Sequence, residues 1–153
     1  MTRLISITCL AIALILFSTG TLSAQAGKSV TIVDPNVVAE ADLAKLPHMN
    51  AAIAKALVGG RPFLSMTALD TFLQAQKLTR AQLTELYGRL FLHLNLNSAS
   101  SEEIQLIPGL GARMLREFKE YRTYKAMEQF RREMGKYVSK EEVARLERYV
   151  AIN

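Results

Sequence analysis

The residues of this chain best suited to do chemistry stand in one short run, Ile107-Pro108-Gly109-Leu110-Gly111-Ala112-Arg113. Its two glycines let the backbone turn sharply and leave no Cβ between main chain and partner. The N–H groups of Leu110, Gly111 and Ala112 are then expected to face outward where a helix begins. A helix N-terminus carries partial positive charge and unpaired donors, which suits a phosphate oxygen. Arg113, Arg116 and Lys119 follow along that helix and could add charge-assisted contacts to neighbouring phosphates. Contacts of this kind position a protein on a nucleic acid without reading its bases. Against this stands a plainer reading, in which the glycines only permit a tight turn. Arg113, Arg116 and Lys119 would then form a solvated face balanced by Glu117 and Glu120. A second basic stretch, Arg131, Arg132, Lys136 and Lys140, reads as a solvated face.

Catalytic chemistry finds little support. Cys9 is the single cysteine, His48 and His93 stand far apart, and no tryptophan occurs. No H-E-x-x-H, G-x-S-x-G or P-loop pattern is present, so neither an enzyme, a metal site nor a cofactor is expected. His93, set among apolar residues, reads as structural. Tyr121, Tyr124, Tyr137 and Tyr149 fall at expected helix ends, where half-buried core roles are the default, so no platform for single strands emerges.

The elements that must hold the glycine run are written twice. Set against each other at a shift of 61 residues, Asn36 meets Asn97, Pro47 meets Pro108, Ala51 meets Ala112, Arg61 meets Arg122 and Met66 meets Met127. One deletion near Gln76 continues the match at a shift of 60, with Thr79 on Ser139 and Leu86 on Leu146. Chance would not hold register over roughly 55 residues. The expected fold is all-α, two tandem units of four helices each, with the first at 27–92 and the second at 93–153. In the second unit Ser100 with Glu103 and Ser139 with Glu142 read as capping boxes, as does Thr79 with Gln82 in the first. The helices run from about Ala112 to Tyr121 and from about Met127 to Met134, and the last carries Val143, Leu146 and Val150 inward. Apolar connectors at 30–33 and 90–96 are expected to lie extended over the helices.

The lead Asn95-Leu96-Asn97-Ser98-Ala99-Ser100, the acidic turn Glu102-Glu103, and Ile107-Pro108-Gly109-Leu110-Gly111 together resemble the ComEA-like helix-hairpin-helix family. The resemblance covers residues 95–121 well and runs loosely to 150; the first unit joins it only through the repeat. It implies tandem helix-hairpin-helix units, export, and sequence-independent binding of double-stranded DNA, in some members for DNA uptake during transformation. The first unit departs from the pattern, with His48 and Asn50 where the glycines stand. Asn tolerates left-handed backbone, so the turn is expected to survive there, while its extra side chains would crowd a phosphate. A protonated His48 could stand in as a weak second site, although a plain turn residue is the stronger reading. In the second unit Leu115 replaces a small residue of the family, and Met134-Gly135-Lys136-Tyr137-Val138 replaces a further glycine hairpin.

The N-terminal stretch reads as an address. Arg3 precedes an apolar run at 4–17, and Ala24-Gln25-Ala26 resembles a signal-peptidase site, so residues 1–26 are expected to be removed. Removal would leave no membrane anchor and a protein of the periplasm or cell surface; a retained N-terminal anchor is the competing reading. Without Arg3, the 19 Lys and Arg fall to 18 against 14 acidic residues, a net +4. This charge is too mild to decide for nucleic acid by itself. A protein–protein scaffold, with another exported protein as partner and an exposed apolar patch around Phe91 or Tyr124, is therefore the competing expectation.

Overall fold

A computed structural model of the chain describes residues 31–152, so the expected signal peptide at 1–26 lies outside them. The fold is all-α, with eight helices among the described residues and one two-stranded parallel sheet. The first copy holds α1 (Glu40–Leu43), α2 (Ala51–Gly59), α3 (Met66–Ala75) and α4 (Arg80–Tyr87). The second holds α5 (Ser101–Gln105), α6 (Ala112–Glu120), α7 (Met127–Met134) and α8 (Lys140–Glu147). No helix of the described residues is long and apolar enough to cross a membrane.

Helix starts follow the side chains that can hold orphan amides. Thr79 and Ser100 form complete capping boxes with Gln82 and Glu103, as expected of residues that satisfy two donors reciprocally. The third expected box is only half made. Ser139 accepts from the Glu142 amide, but the Glu142 carboxylate turns instead to Arg145, at 2.7 Å from both Nε and Nη2. A guanidinium fork offers the carboxylate two charge-assisted bonds where the N-cap amide offers one neutral bond.

The copies share one clamp. Asn36 donates through Nδ2 to the Phe63 carbonyl and accepts from the Phe63 amide, at 2.9 and 2.8 Å. Asn97 does the same with Tyr124, at 2.9 and 2.7 Å. Arg61 donates to the carbonyls of Pro35 and Val38, and Arg122 to those of Leu96 and Ala99. Identical residues at the repeat spacing thus tie the entry segment of each copy to the loop before its third helix.

The connectors are more than a covering. Val33 bridges Leu90 in parallel, and β1 (Leu94–Asn95) pairs in parallel with β2 (Val150–Ala151). Each copy is therefore closed by its own entry and exit strands. Val150, expected on the inner face of the last helix, is instead buried in β2, because α8 ends at Glu147. The buried apolar residues form one continuous cluster through both copies. Phe91 lies at its centre, edge-on to Tyr87 of the first copy and Tyr149 of the second.

Candidate nucleic-acid interface

Leu106 ends α5, and the buried Ile107 anchors the turn that follows. Gly109 then takes φ +74°, the left-handed region that side chains disfavour. Gly111 has φ −83° and ψ 163°, the extended backbone of an N-cap residue. A Cβ at Gly111 would meet nothing within 4 Å. The two glycines therefore do different things: the first makes the turn, and the second leaves the start of α6 without a cap. Gly109, Gly111, Ala112 and Arg113 are all exposed. Leu110 departs from the expectation, since its N–H turns inward to the Ile107 carbonyl at 3.1 Å. The outward donors are those of the first turn of α6, which precede any intrahelical bond and receive no side-chain cap.

The same turn in the first copy is built and then closed. His48, at the register of Gly109, takes φ 61°. Asn50, which was expected to supply left-handed tolerance, is extended at φ −140° and caps α2 by accepting from the Ile53 amide at 2.9 Å. An amide oxygen one residue before a helix is better used on an orphan N–H than in a strained turn. His48 Nε2 meets the Glu85 carboxylate at 2.6 Å. The start of α2 at the expected weak second site, His48 and Asn50, thus has one amide capped by Asn50 and a carboxylate beside its turn, where the start of α6 has neither.

Of the expected cations, Arg113 is placed in the first turn of α6 with its guanidinium 4.9 Å above the Tyr137 ring. The hydroxyls of Tyr137 and Tyr121 are hydrogen-bonded at 2.7 Å, and that bond, foremost, holds the Tyr137 phenol well above its ordinary range. Arg116 is exposed one turn on. Lys119 lies at the far end of α6 and donates to the Ser101 hydroxyl at 2.7 Å, away from the glycine turn. In the second basic stretch, Arg131 pairs with Glu128 and Glu147, while Arg132 and Lys136 pair with Glu133.

Two arginines absent from the sequence expectation lie against the turn. Arg145 of α8 donates to the Pro108 carbonyl at 2.7 Å, and its Nη2 would lie 3.6 Å from a Cβ on Gly109. Its hydrogen bonds to Glu142 hold that carboxyl below the ordinary range. Arg80 of the first copy lines a small cavity of about 110 Å³ with Gln105, Leu106, Pro108, Gly109 and Leu110. The repeat register places Arg145 opposite Glu85, so the sign of the charge beside the turn is reversed between copies. That reversal was the one signal in the sequence that could have found Arg145.

Among the described residues no group of three or more His, Cys, Asp or Glu side chains is placed to hold a metal ion. The expected apolar patch does not lie at Phe91 or Tyr124, both of which are buried because they fill the centre and the loop clamp. Leu64, 91% exposed, and Val37, 77% exposed, are the large apolar side chains at the surface. Comparison with known family models, characterised proteins and solved structures returned no match.

Proposed function

We propose that this chain is an exported protein that binds double-stranded DNA without sequence preference, gripping backbone phosphates at the Gly109–Gly111 turn. The observation that carries the reading is the contrast between the two copies. The start of α6 has no side-chain cap, is exposed and follows a turn that meets Arg145 and Arg80, each also paired with a carboxylate, whereas α2 is capped by Asn50 at the Ile53 amide and its turn residue His48 meets Glu85. Gly111, Ala112 and Arg113 would meet the phosphate, with Arg116 reaching the next one along. The resemblance to ComEA-like helix-hairpin-helix proteins supports the same reading, and with it a place in DNA uptake at the periplasm or cell surface.

Titration of a labelled random duplex at rising salt tests this. With two or three phosphates engaged, the logarithm of affinity should fall with the logarithm of salt at a slope near −0.9 per phosphate, about −2 to −3 in all. Gly111→Asn should cap α6 as Asn50 caps α2 and lower affinity about tenfold or more, the worth of a charge-assisted hydrogen bond. Absence of binding at low salt would overturn the reading.

A second reading, a helical protein–protein scaffold, draws on one observation: Arg131, Arg132, Lys136 and Arg145 are all engaged by carboxylates of their own copy. This pairing offsets those cations locally, so they form no strongly positive patch of their own.

A further inference from the structure

The two copies are joined head to tail, and the surfaces that join them recur at the two ends of the chain. Inside the molecule, α5 of the second copy lies against α3 of the first and lines a cavity together with α4. Glu103 Oε1 accepts from the Met66 amide, the first of α3, at 3.1 Å. Leu106 faces Tyr87 and Arg80 across a shared cavity.

Counted along the repeat, the same groove in the second copy lies between α7 and α8. It is open there, with a volume of about 590 Å³, and is lined among others by Arg131, Lys140, Val143, Ala144 and Glu147. These are the counterparts of Asp70, Arg80, Leu83, Thr84 and Tyr87. At the other end, α1 is the counterpart of α5, and Ala41 and Asp42 on it and Lys45 just after it are exposed. They stand where α5 carries Glu102, Glu103 and Leu106.

Two features state what fits the open groove. The start of α7 is uncapped: Ala126 stands where Ser65 caps α3, and no side chain accepts there. Asp42, at the register of Glu103, is the carboxylate that the internal arrangement would bring to the Met127 amide. Among the described residues its side chain bonds Lys45, at 2.8 Å on the surface. The second feature is a paired exchange. Where Leu106 and Tyr87 line one cavity inside the chain, the matching positions at the two ends are Lys45, paired with Asp42, and Glu147, paired with Arg131, so opposite charges stand on the two faces.

We propose that a second copy of this chain seats its α1 in the α7–α8 groove, so that molecules associate head to tail by repeating their internal contact. The two faces are different surfaces, so the association is heterologous and extends into rows rather than closing as a symmetric dimer. Charge pairs at the rim make it sensitive to salt. The proposal is independent of DNA binding.

Sedimentation velocity of the purified chain, from micromolar to near-millimolar concentration at low salt, is the test. The wild-type chain should form concentration-dependent species larger than a dimer. Lys45→Glu and Glu147→Lys should each weaken association at least tenfold when alone. Mixed together they should associate again, because each supplies the charge that the other now lacks. A wild-type chain that stays monomeric throughout would show that the charged α7–α8 face ends the array, and would overturn the proposal. So would association that survives either substitution alone, or a mixture that stays monomeric while both variants keep the wild-type circular dichroism.

Discussion

Gly109 and Gly111 are two residues apart, yet they answer to different physical demands, and substitutions should separate them. Gly109→Ala places a side chain at φ +74°, for which a left-handed L-residue costs about 1–2 kcal/mol. Urea denaturation should show a loss of that size. His48 holds the same conformation in the first copy, its ring tethered to Glu85. Gly111→Asn should behave in the opposite way. Its φ of −83° suits any residue, and an asparagine cap should add about a few tenths of a kcal/mol over glycine. A variant that melts no lower than wild type but binds duplex about tenfold more weakly would separate the site from the fold. At this scale the glycine turn was legible because its requirements are local: a positive φ and an unblocked helix start. Arg145 was not, because only the packing of α8 against the α5–α6 turn brings it to Pro108, across 37 residues of chain.

At the scale of elements, the asparagine clamps decide how each copy closes. Asn97→Ala removes a donor and an acceptor from the Tyr124 backbone, and Asn36→Ala does so at Phe63. Each leaves two backbone groups without partners, at about 1–3 kcal/mol for an unsatisfied buried group. The two variants should therefore lose similar stability in denaturant, because the local geometry is the same. Acid should act on α8. Arg145 holds the Glu142 carboxyl below its ordinary range, so the unfolded chain binds that proton first. The pair then stabilises fully above about pH 4.5 and is lost as pH falls through the lower, folded value. Unfolding followed by circular dichroism should show Glu142→Gln flattening this part of the acid limb. The helices of the second copy were legible from capping residues and from periodicity, which operate within a few residues, and those of the first copy chiefly through the repeat. The parallel pairing of residues 94–95 with 150–151 was not. Two-residue strands carry no period of their own and exist only because α8 delivers the chain end to the entry segment.

The molecule as a whole is a duplication whose halves do not have separate cores. Phe91 shows why. It is fully buried in the connector, with its ring 6.0 Å from Tyr87 and 4.9 Å from Tyr149, one from each copy. Burial of a large aromatic against both sides couples their unfolding, since neither copy can open without exposing the shared ring. Calorimetry of the chain should accordingly give a single transition with calorimetric and van't Hoff enthalpies in agreement. Phe91→Ala should cost about 3–5 kcal/mol through lost burial and a residual cavity. For a chain of this size that lowers the midpoint by on the order of 10 °C. The shape of the transition is as informative as its midpoint. If coupling runs through Phe91, the variant should broaden or split, the first copy melting apart from the second, whereas wild type does not. Were the copies independent, wild type would already show two transitions and Phe91→Ala would shift each without altering their separation. A single sharp wild-type transition that splits in the variant would establish that the connector, read from sequence as a covering strand, is the keystone of the duplicated fold.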